Sequence, residues 1–543
     1  MNWAGGITLL FTAGPILSLL IGCVIGLFLG ALPGLGPVFV LTVMLPLTVH
    51  LGTIDSLVML VAGYTAAVYG GAITAVVFKV PGHPGNVATT FEGPAMASQG
   101  RAGEAVVAIG IAGAIGGIIA TVFLIFVAPV VLSAALRLQP VDYFMLAVFG
   151  LSMVAAVSKG KVLIGLVLGG VGVLISTIGP DVITGTTRFT FGSKFLQSNG
   201  IPLALVAVGV FAIGSGLVMM EENWKRPSRK MANVEIRSGI RQGMKAAASH
   251  PLPIIRSSLL GVLIGVIPGL GVTLSNLAAY AMESKIGRRL KWGNGNVIGV
   301  MAAEAADGAT LISELIPAFT LGIPGAATSA LMLEALALHG LTAGPGFFQS
   351  GSTVAAFLLA LPVAQVLIAA LGIVSAPIVV RLARIDPQII GPALIVIGAV
   401  GAYVVNGALF DVVIGTIFGL VGYVMIKLKL PIAPIVMGTL LGPLAEESLG
   451  RVRILDKATH SFAFFQPMAV VLVGFAIIAF VGPNFGRFMR AVNRNGRPSP
   501  NGVRACDPNF TADDMSSPEI GELGIDASLL ENSMTMRGKQ SGD

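Results

Sequence analysis

Residues 258–284, SLLGVLIGVIPGLGVTLSNLAAYAMES, read as a membrane helix until Pro268-Gly-Leu-Gly271 interrupts them. Arg256 precedes the stretch, and Lys285, Arg288, Arg289 and Lys291 follow it. Lys and Arg collect on the cytoplasmic side of membrane proteins, so both flanks belong to one side. At about 1.5 Å per residue, a straight helix of this length overshoots a hydrocarbon core of about 30 Å, and two full spans do not fit. The simplest path enters, turns at Pro-Gly-Leu-Gly and returns as a re-entrant hairpin with arms of roughly 11 and 13 residues. One tilted, kinked helix that uses Gly for close packing is the alternative.

The surrounding composition agrees with a membrane solvent. Of 543 residues, 55% are hydrophobic and only 11% charged, too few polar groups to cover a water-soluble surface. Apolar runs of span length recur from Gly14 to Val481, giving roughly ten to fifteen spans or part-spans. The chain is therefore a polytopic membrane protein rather than a string of soluble domains. The N-terminus has no Lys or Arg before its first apolar run, unlike a cleaved signal peptide, and reads as a first span. Cys23 and Cys506 are too few and too far apart for a disulfide framework or metal cluster.

Charge divides the chain. Residues 221–256 carry Lys225, Arg226, Arg229, Lys230, Arg237, Arg241, Lys245 and Arg256 against three glutamates, which makes them a basic cytoplasmic linker. Arg487, Arg490, Arg494 and Arg497 put the C-terminus in the cytoplasm as well. The expected organisation is a first membrane repeat at 1–220, the linker at 221–256, a second repeat at 257–488, and a disordered tail at 489–543 that is too polar to form a core. Basic cytoplasmic loops account for the net charge of +7 without any nucleic-acid partner.

The two repeats rest on spacing. Gly26, Gly30, Pro33, Gly34, Leu35 and Gly36 match Gly261, Gly265, Pro268, Gly269, Leu270 and Gly271 at a constant offset of 235. A second interruption follows in each half, Pro81-Gly82 and Pro324-Gly325, 243 apart, with Glu92 and Glu334 242 apart. No Lys or Arg occurs before Lys79, so the first hairpin lacks the cytoplasmic signature of the second, which hints at inverted halves. The expected fold is an all-α membrane protein of two homologous, inverted repeats, each with broken or re-entrant hairpins tipped by Pro-Gly.

In order, GALPGLG, YGGAITAVVFKVPGHPGNVATTFEGPAMASQGRAGEA, GVIPGLG, AAEAADGATLISELIPAFTLGIPG and HGLTAGPGFF resemble the large permease subunit of the tripartite tricarboxylate transporters, from about Gly14 to Gly486. The resemblance implies a secondary carrier for organic anions in a bacterial inner membrane. It also implies a small four-helix membrane subunit and a periplasmic solute-binding protein as partners. Two departures stand out. Glu92 occupies a place where Asp is expected, and Lys79 and His83 add positive charge around the first Pro-Gly step, which points to an altered substrate class.

Hairpin tips expose backbone N–H groups at helix N-termini, which cradle a carboxylate without burying a full cation. Pro33, Gly34, Gly36, Pro268, Gly269 and Gly271, together with Pro81, Gly82, Pro324 and Gly325, are the candidate substrate-binding backbone. Asn86, Thr89, Thr90, Ser275 and Asn276 add neutral ligands near the tips, or else bridge helices by ordinary hydrogen bonds. Carbonyls at the tips suit Na⁺. Glu304, Asp307 and Glu314, spaced three and seven apart, share one helix face at membrane depth and are candidates for coupling Na⁺ or H⁺, with Glu334 as a fourth. Glu304 has a blander reading as a solvated residue at the span's end. Lys79 meets the anionic substrate, snorkels to the interface or pairs with Glu92.

An embedded enzyme is disfavoured, because His50, His83, His250, His339 and His460 are scattered without metal-ligand spacing. A channel is disfavoured by the pair of tips within one chain and by the lack of a ring of identical filter residues. The expected function is ion-coupled import of small organic anions such as tri- or dicarboxylates, with no cofactor beyond the coupling ion. A stand-alone anion carrier of another family is the alternative.

Overall fold

The computed structural model describes residues 2–32, 35–156, 162–181, 183–221, 236–268, 270–349, 351–382 and 387–459. Pro33, Gly34 and Gly269 lie outside the described residues, as do the C-terminal arginines and the tail. Residues up to Asn484 form one compact unit, and Phe485–Asp543 fall in a second that is outside the described residues.

The protein is almost wholly helical. Among the described residues, the only strand pairing sets Gly179–Pro180 antiparallel to Thr187–Arg188. Among the described residues, seven helices are long and apolar enough to cross a membrane, and a pair bent by 75° at His250 passes the same test as a unit. Four shorter apolar helices, Pro37–Thr48, Pro140–Ser152, Val162–Ser176 and Ala327–Leu338, join them.

The stretch around Pro268 is two helices, Pro251–Gly265 and Gly271–Ile286, packed against each other. Arg256 on the first donates from Nε and Nη2 to Glu283 Oε1 and Oε2 on the second, at 3.0 and 2.9 Å. In a continuous helix, these residues would stand about 40 Å apart, so the chain must reverse between them. Gly271 makes the turn with φ of +70°, a left-handed backbone that glycine adopts without a Cβ clash. The arms run to 15 and 16 residues, longer than their flanking charges imply. Arg256 and Glu283 neutralise each other, so both sit inside the hairpin instead of ending it.

Near the N-terminus, Ala13–Gly30 and Pro37–Thr48 both pack on Thr53–Phe78. Gly22, Gly26 and Gly30 repeat every fourth residue, so they share one helix face. A Cβ on each would fall 2.3 Å from Met59 O, 2.0 Å from Gly63 O and 2.2 Å from Ala67 O. The backbones of the two helices therefore touch, as small residues allow in membranes.

The same order of elements recurs in the second half. Thr53–Phe78 leads through the first Pro-Gly loop to the short helix Thr89–Ser98 and the long helix Ala102–Ala135. Val297–Ser313, broken at Glu314 and continued as Leu315–Leu321, leads through the second Pro-Gly loop to Ala327–Leu338 and, after one more short turn, to Gly351–Leu382. Each short helix also reaches the other half. Thr89–Ser98 packs on Val297–Ser313 as well as on Thr53–Phe78, and Ala327–Leu338 packs on Pro37–Thr48 and Thr53–Phe78. The basic segment between the halves is described from residue 236 onward, where it forms the helix Ile236–Ser249 and the start of Pro251–Gly265.

Candidate functional site

Val297–Ser313 carries five Ala and two Gly among its 17 residues, and its neighbours approach it closely. A Cβ on Gly116 would fall 2.1 Å from Ala305 O, one on Gly308 2.4 Å from Gly113 O, and one on Gly261 2.4 Å from Ala306 O. The helix is thus gripped by Ala102–Ala135 from the first half and by the arm Pro251–Gly265 from the second. Its N-terminus is fixed too, because Asn296 caps it by accepting the Ile298 N–H at 3.0 Å. Glu304, Asp307 and Glu314 are all buried along this rigid mount.

The first Pro-Gly loop descends onto these carboxylates. Gly82 is squeezed between helices, where a Cβ would meet Gly71 Cα at 2.2 Å and Gly30 O at 3.1 Å. This contact aims the next turn, Pro84–Asn86, at the second half. Asn86 Nδ2 donates to Glu304 Oε1 at 3.1 Å and to Asp307 Oδ2 at 3.4 Å. The Thr89 hydroxyl donates to the same Glu304 oxygen. The Ala88 N–H donates to Asn276 Oδ1 at 2.8 Å, tying the loop to the second hairpin. His83 Nδ1 accepts the Gly85 N–H at 3.1 Å, so the proton of the neutral ring sits on Nε2. That nitrogen lies 3.2 Å from Asp307 Oδ2, within ion-pair reach but off the line of a hydrogen bond.

The amide orientations follow from these partners. Asn86 must turn Nδ2 toward two carboxylates, which leaves Oδ1 without a donor; Asn276 must turn Oδ1 toward an N–H, which leaves Nδ2 without an acceptor. Asp307 Oδ1 is likewise buried without a hydrogen-bond partner among the described residues. Buried polar groups are nearly always paired, and exceptions concentrate where something else binds. Here Asn86, Asn276, Asp307 and His83 bring such atoms to one place, each residue at most 5% exposed. Among the described residues, no three His, Cys, Asp or Glu side chains form a metal-ion site. Asn86 Oδ1 and Asp307 Oδ1 are the two unpaired oxygens of the cluster among the described residues. On its other side, Glu304 lines a cavity with Thr65, Tyr69 and Gln365.

Asp307 is eleven residues from the Asn296 cap, about 16 Å along the helix, and Asn276 is seven from Glu283, about 10 Å.

Asn86, Thr89, Asn276, Glu304 and Asp307 come together in this cluster. Glu314 lies two turns beyond Asp307, accepting from the Thr328 hydroxyl, with Gly325 packed against its Cβ. Pro324 and Gly325 are buried beside it. Ser275 meets the Thr310 hydroxyl at 2.7 Å, and the Thr90 hydroxyl donates to the Val87 carbonyl at 2.6 Å, so both serve helix packing. Glu334 accepts from the Ala204 backbone, away from the cluster. Gly36 packs on His83 Cβ, 3.0 Å from where its own Cβ would be, and Pro81 precedes the Gly82 contact. Pro268 is half-buried, and around Gly271 a Cβ would meet nothing within 4 Å. Lys79 is exposed and forms no ion pair among the described residues. Glu92 is held elsewhere: it accepts from Tyr280 Oη and from the N–H groups of Gly293, Gly295 and Asn296, clasping the loop that starts Val297–Ser313.

His83 is the residue whose role the sequence obscured. Its setting between two Pro-Gly steps, PGHPG, was the available signal, since such a loop has few ways to hide an imidazole from the site it lines.

None of the solved structures matches the chain. Two relatives come from Agrobacterium vitis. The "Uncharacterized 52.8 kDa protein in TAR-I ttuC' 3'region" is 32% identical over 482 residues, 88% of this chain and 95% of the relative. The "Uncharacterized protein in TAR-II ttuC' 3'region" is 30% identical over 223 residues, 41% of this chain and 92% of the relative. The family model described as "Tripartite tricarboxylate transporter TctA family" matches residues 16–437, and the chain accordingly belongs to that family.

Proposed function

We propose that this permease subunit imports small organic anions, tri- or dicarboxylates, by alternating access driven by Na⁺ or H⁺. In this reading, a periplasmic solute-binding protein delivers the substrate and a small four-helix membrane subunit completes the carrier in the bacterial inner membrane, with the C-terminus in the cytoplasm. The observation that carries the proposal is the buried cluster of His83, Asn86, Asn276, Glu304 and Asp307, contributed by both halves. Carboxylates are costly inside a membrane and mark ion or substrate paths. Transporters built from two repeats bind substrate and coupling ion where the repeats meet.

The parts divide the work by charge. Glu304 and Asp307 attract the coupling cation, and its arrival offsets the repulsion that an anionic substrate would otherwise meet. The backbone N–H groups of the hairpin tips and Asn276 Nδ2 then present donors to a carboxylate. Tips made of backbone donors recognise the carboxylate and little of what is attached, so the binding protein sets the choice among substrates.

The experiment is uptake of radiolabelled citrate and C4-dicarboxylates into proteoliposomes under imposed Na⁺ or H⁺ gradients, with the co-encoded small subunit and binding protein added in turn. Gradient-driven uptake that requires the binding protein is the expected result and identifies the ion. Uptake by this chain alone would favour an independent carrier, and gradient-insensitive flux a channel.

A further inference from the structure

The helix Ile236–Ser249 turns 75° into the hairpin arm Pro251–Gly265. If that apolar arm enters the bilayer, the 75° bend lays the helix before it close to the membrane plane. Its inward face is small. A Cβ on Gly239 would fall 2.4 Å from Gly103 C, and one on Gly243 2.6 Å from Val107 Cβ, while Ala246 and Ala247 are buried. Its outward face mixes Ile240 and Met244, 37% and 56% exposed, with Arg241 and Lys245. Apolar side chains flanked by Lys and Arg on one face mark a helix lying in a lipid interface.

The hairpin brings a second basic segment to the same place. Because Arg256 pairs with Glu283, the outer ends of both arms meet, and Lys285, Arg288, Arg289 and Lys291 follow directly with exposed Ile286 and Leu290 between them. Among the described residues, none of these four cations nor Arg241 and Lys245 forms an ion pair. The nearby carboxylates are already engaged: Glu104 by Arg101, Glu283 by Arg256, and Glu92 by backbone N–H groups. Among the described residues, the face therefore carries positive charge without a partner carboxylate, set among apolar side chains.

We infer that the open end of the second hairpin is a binding surface for anionic phospholipid, the apolar side chains entering the acyl boundary while Arg241, Lys245, Arg288 and Arg289 hold the headgroups. A lipid surface fits better than a protein partner because the charge is spread along two segments at one depth and alternates with side chains that need an apolar medium. Since the Asn276 arm ends at this surface, the lipid anchors the base of the element that contributes to the central cluster. The inference stands apart from the choice of substrate or coupling ion.

The test uses the full chain with Cys506→Ser and Met244→Cys, labelled at residue 244 with an environment-sensitive fluorophore. It is reconstituted in phosphatidylcholine vesicles holding one mole fraction of brominated lipid, either phosphatidylglycerol or phosphatidylcholine. Brominated phosphatidylglycerol should quench about threefold more strongly, and Arg241→Gln, Lys245→Gln, Arg288→Gln and Arg289→Gln together should abolish the preference while leaving the thermal midpoint in detergent unchanged. Equal quenching by the two lipids overturns the inference. So does a preference that survives the four substitutions, or quenching abolished by adding the small membrane subunit, which would make this face a subunit contact.

Discussion

His83 and Asp307 are 224 positions apart in sequence and 3.2 Å apart in space, one on a loop of the first half and the other on a helix of the second. The pair joins the first Pro-Gly loop to the helix Val297–Ser313. Several expected outcomes follow from it and from the contacts around it.

Asp307→Asn preserves shape and the approach of Asn86 while removing a charge. Gradient-driven accumulation in proteoliposomes should fall about tenfold or more, because a buried carboxylate is retained only where its charge is used. Exchange of labelled for unlabelled substrate should persist. Unaltered accumulation with unaltered ion dependence would assign Asp307 to structure.

His83 separates a donor role from a charge role. His83→Gln keeps a hydrogen-bond donor near Asp307 and should leave uptake within about threefold of the parent, whereas His83→Asp adds a third carboxylate and should cost more than about tenfold. Uptake measured in parallel for both variants decides the matter; equal losses would mean that charge at this position is irrelevant.

Gly82→Ala places a Cβ 2.2 Å from Gly71 Cα. The backbone must shift, at a cost of about 1–3 kcal/mol, and the shift moves the turn that carries Asn86. Gly170→Ala is the matched control, since a Cβ there meets nothing within 4 Å. The thermal midpoint in detergent should drop for the first and hold for the second; the same midpoint for both would refute the close contact.

Arg256→Gln leaves Glu283, whose side chain is 3% exposed, without its counter-charge. Losing one partner of a buried pair costs about 3–5 kcal/mol, and the 39% exposure of the Arg256 side chain lowers the expectation to about 1–3 kcal/mol. Adding Glu283→Gln should recover most of that loss in the same midpoint assay. Strict additivity of the two single changes would show that the pair contributes nothing to hairpin stability.

The second hairpin was legible from charge alone, because Arg256 and the Lys285 group state which ends share a side. The carboxylates were legible as well, since Glu304 and Asp307 stand out in an Ala-Gly helix. Their partners were not. Asn86 and Thr89 read as neutral ligands near their own tip, and only the packing of the first Pro-Gly loop and the start of Thr89–Ser98 on Val297–Ser313 brings them to Glu304. Glu92 illustrates the opposite failure: a nearby Lys79 suggested an ion pair, but a carboxylate is satisfied equally by backbone N–H groups, which leave no trace in a charge pattern. Thr90, Ser275 and Glu334 are the same residue types as the clustered side chains and differ from them only in the direction they face.

The glycine contacts on either side of Val297–Ser313 limit how that helix can move. Gly116 and Gly308 interlock it with Ala102–Ala135 at backbone distance, and the Ala88–Asn276 bond ties the first Pro-Gly loop to the second hairpin. Interdigitated backbones cannot slide without first separating. Any motion that keeps these contacts would carry Val297–Ser313 and Ala102–Ala135 as one body, although the basic segment lies between them in sequence.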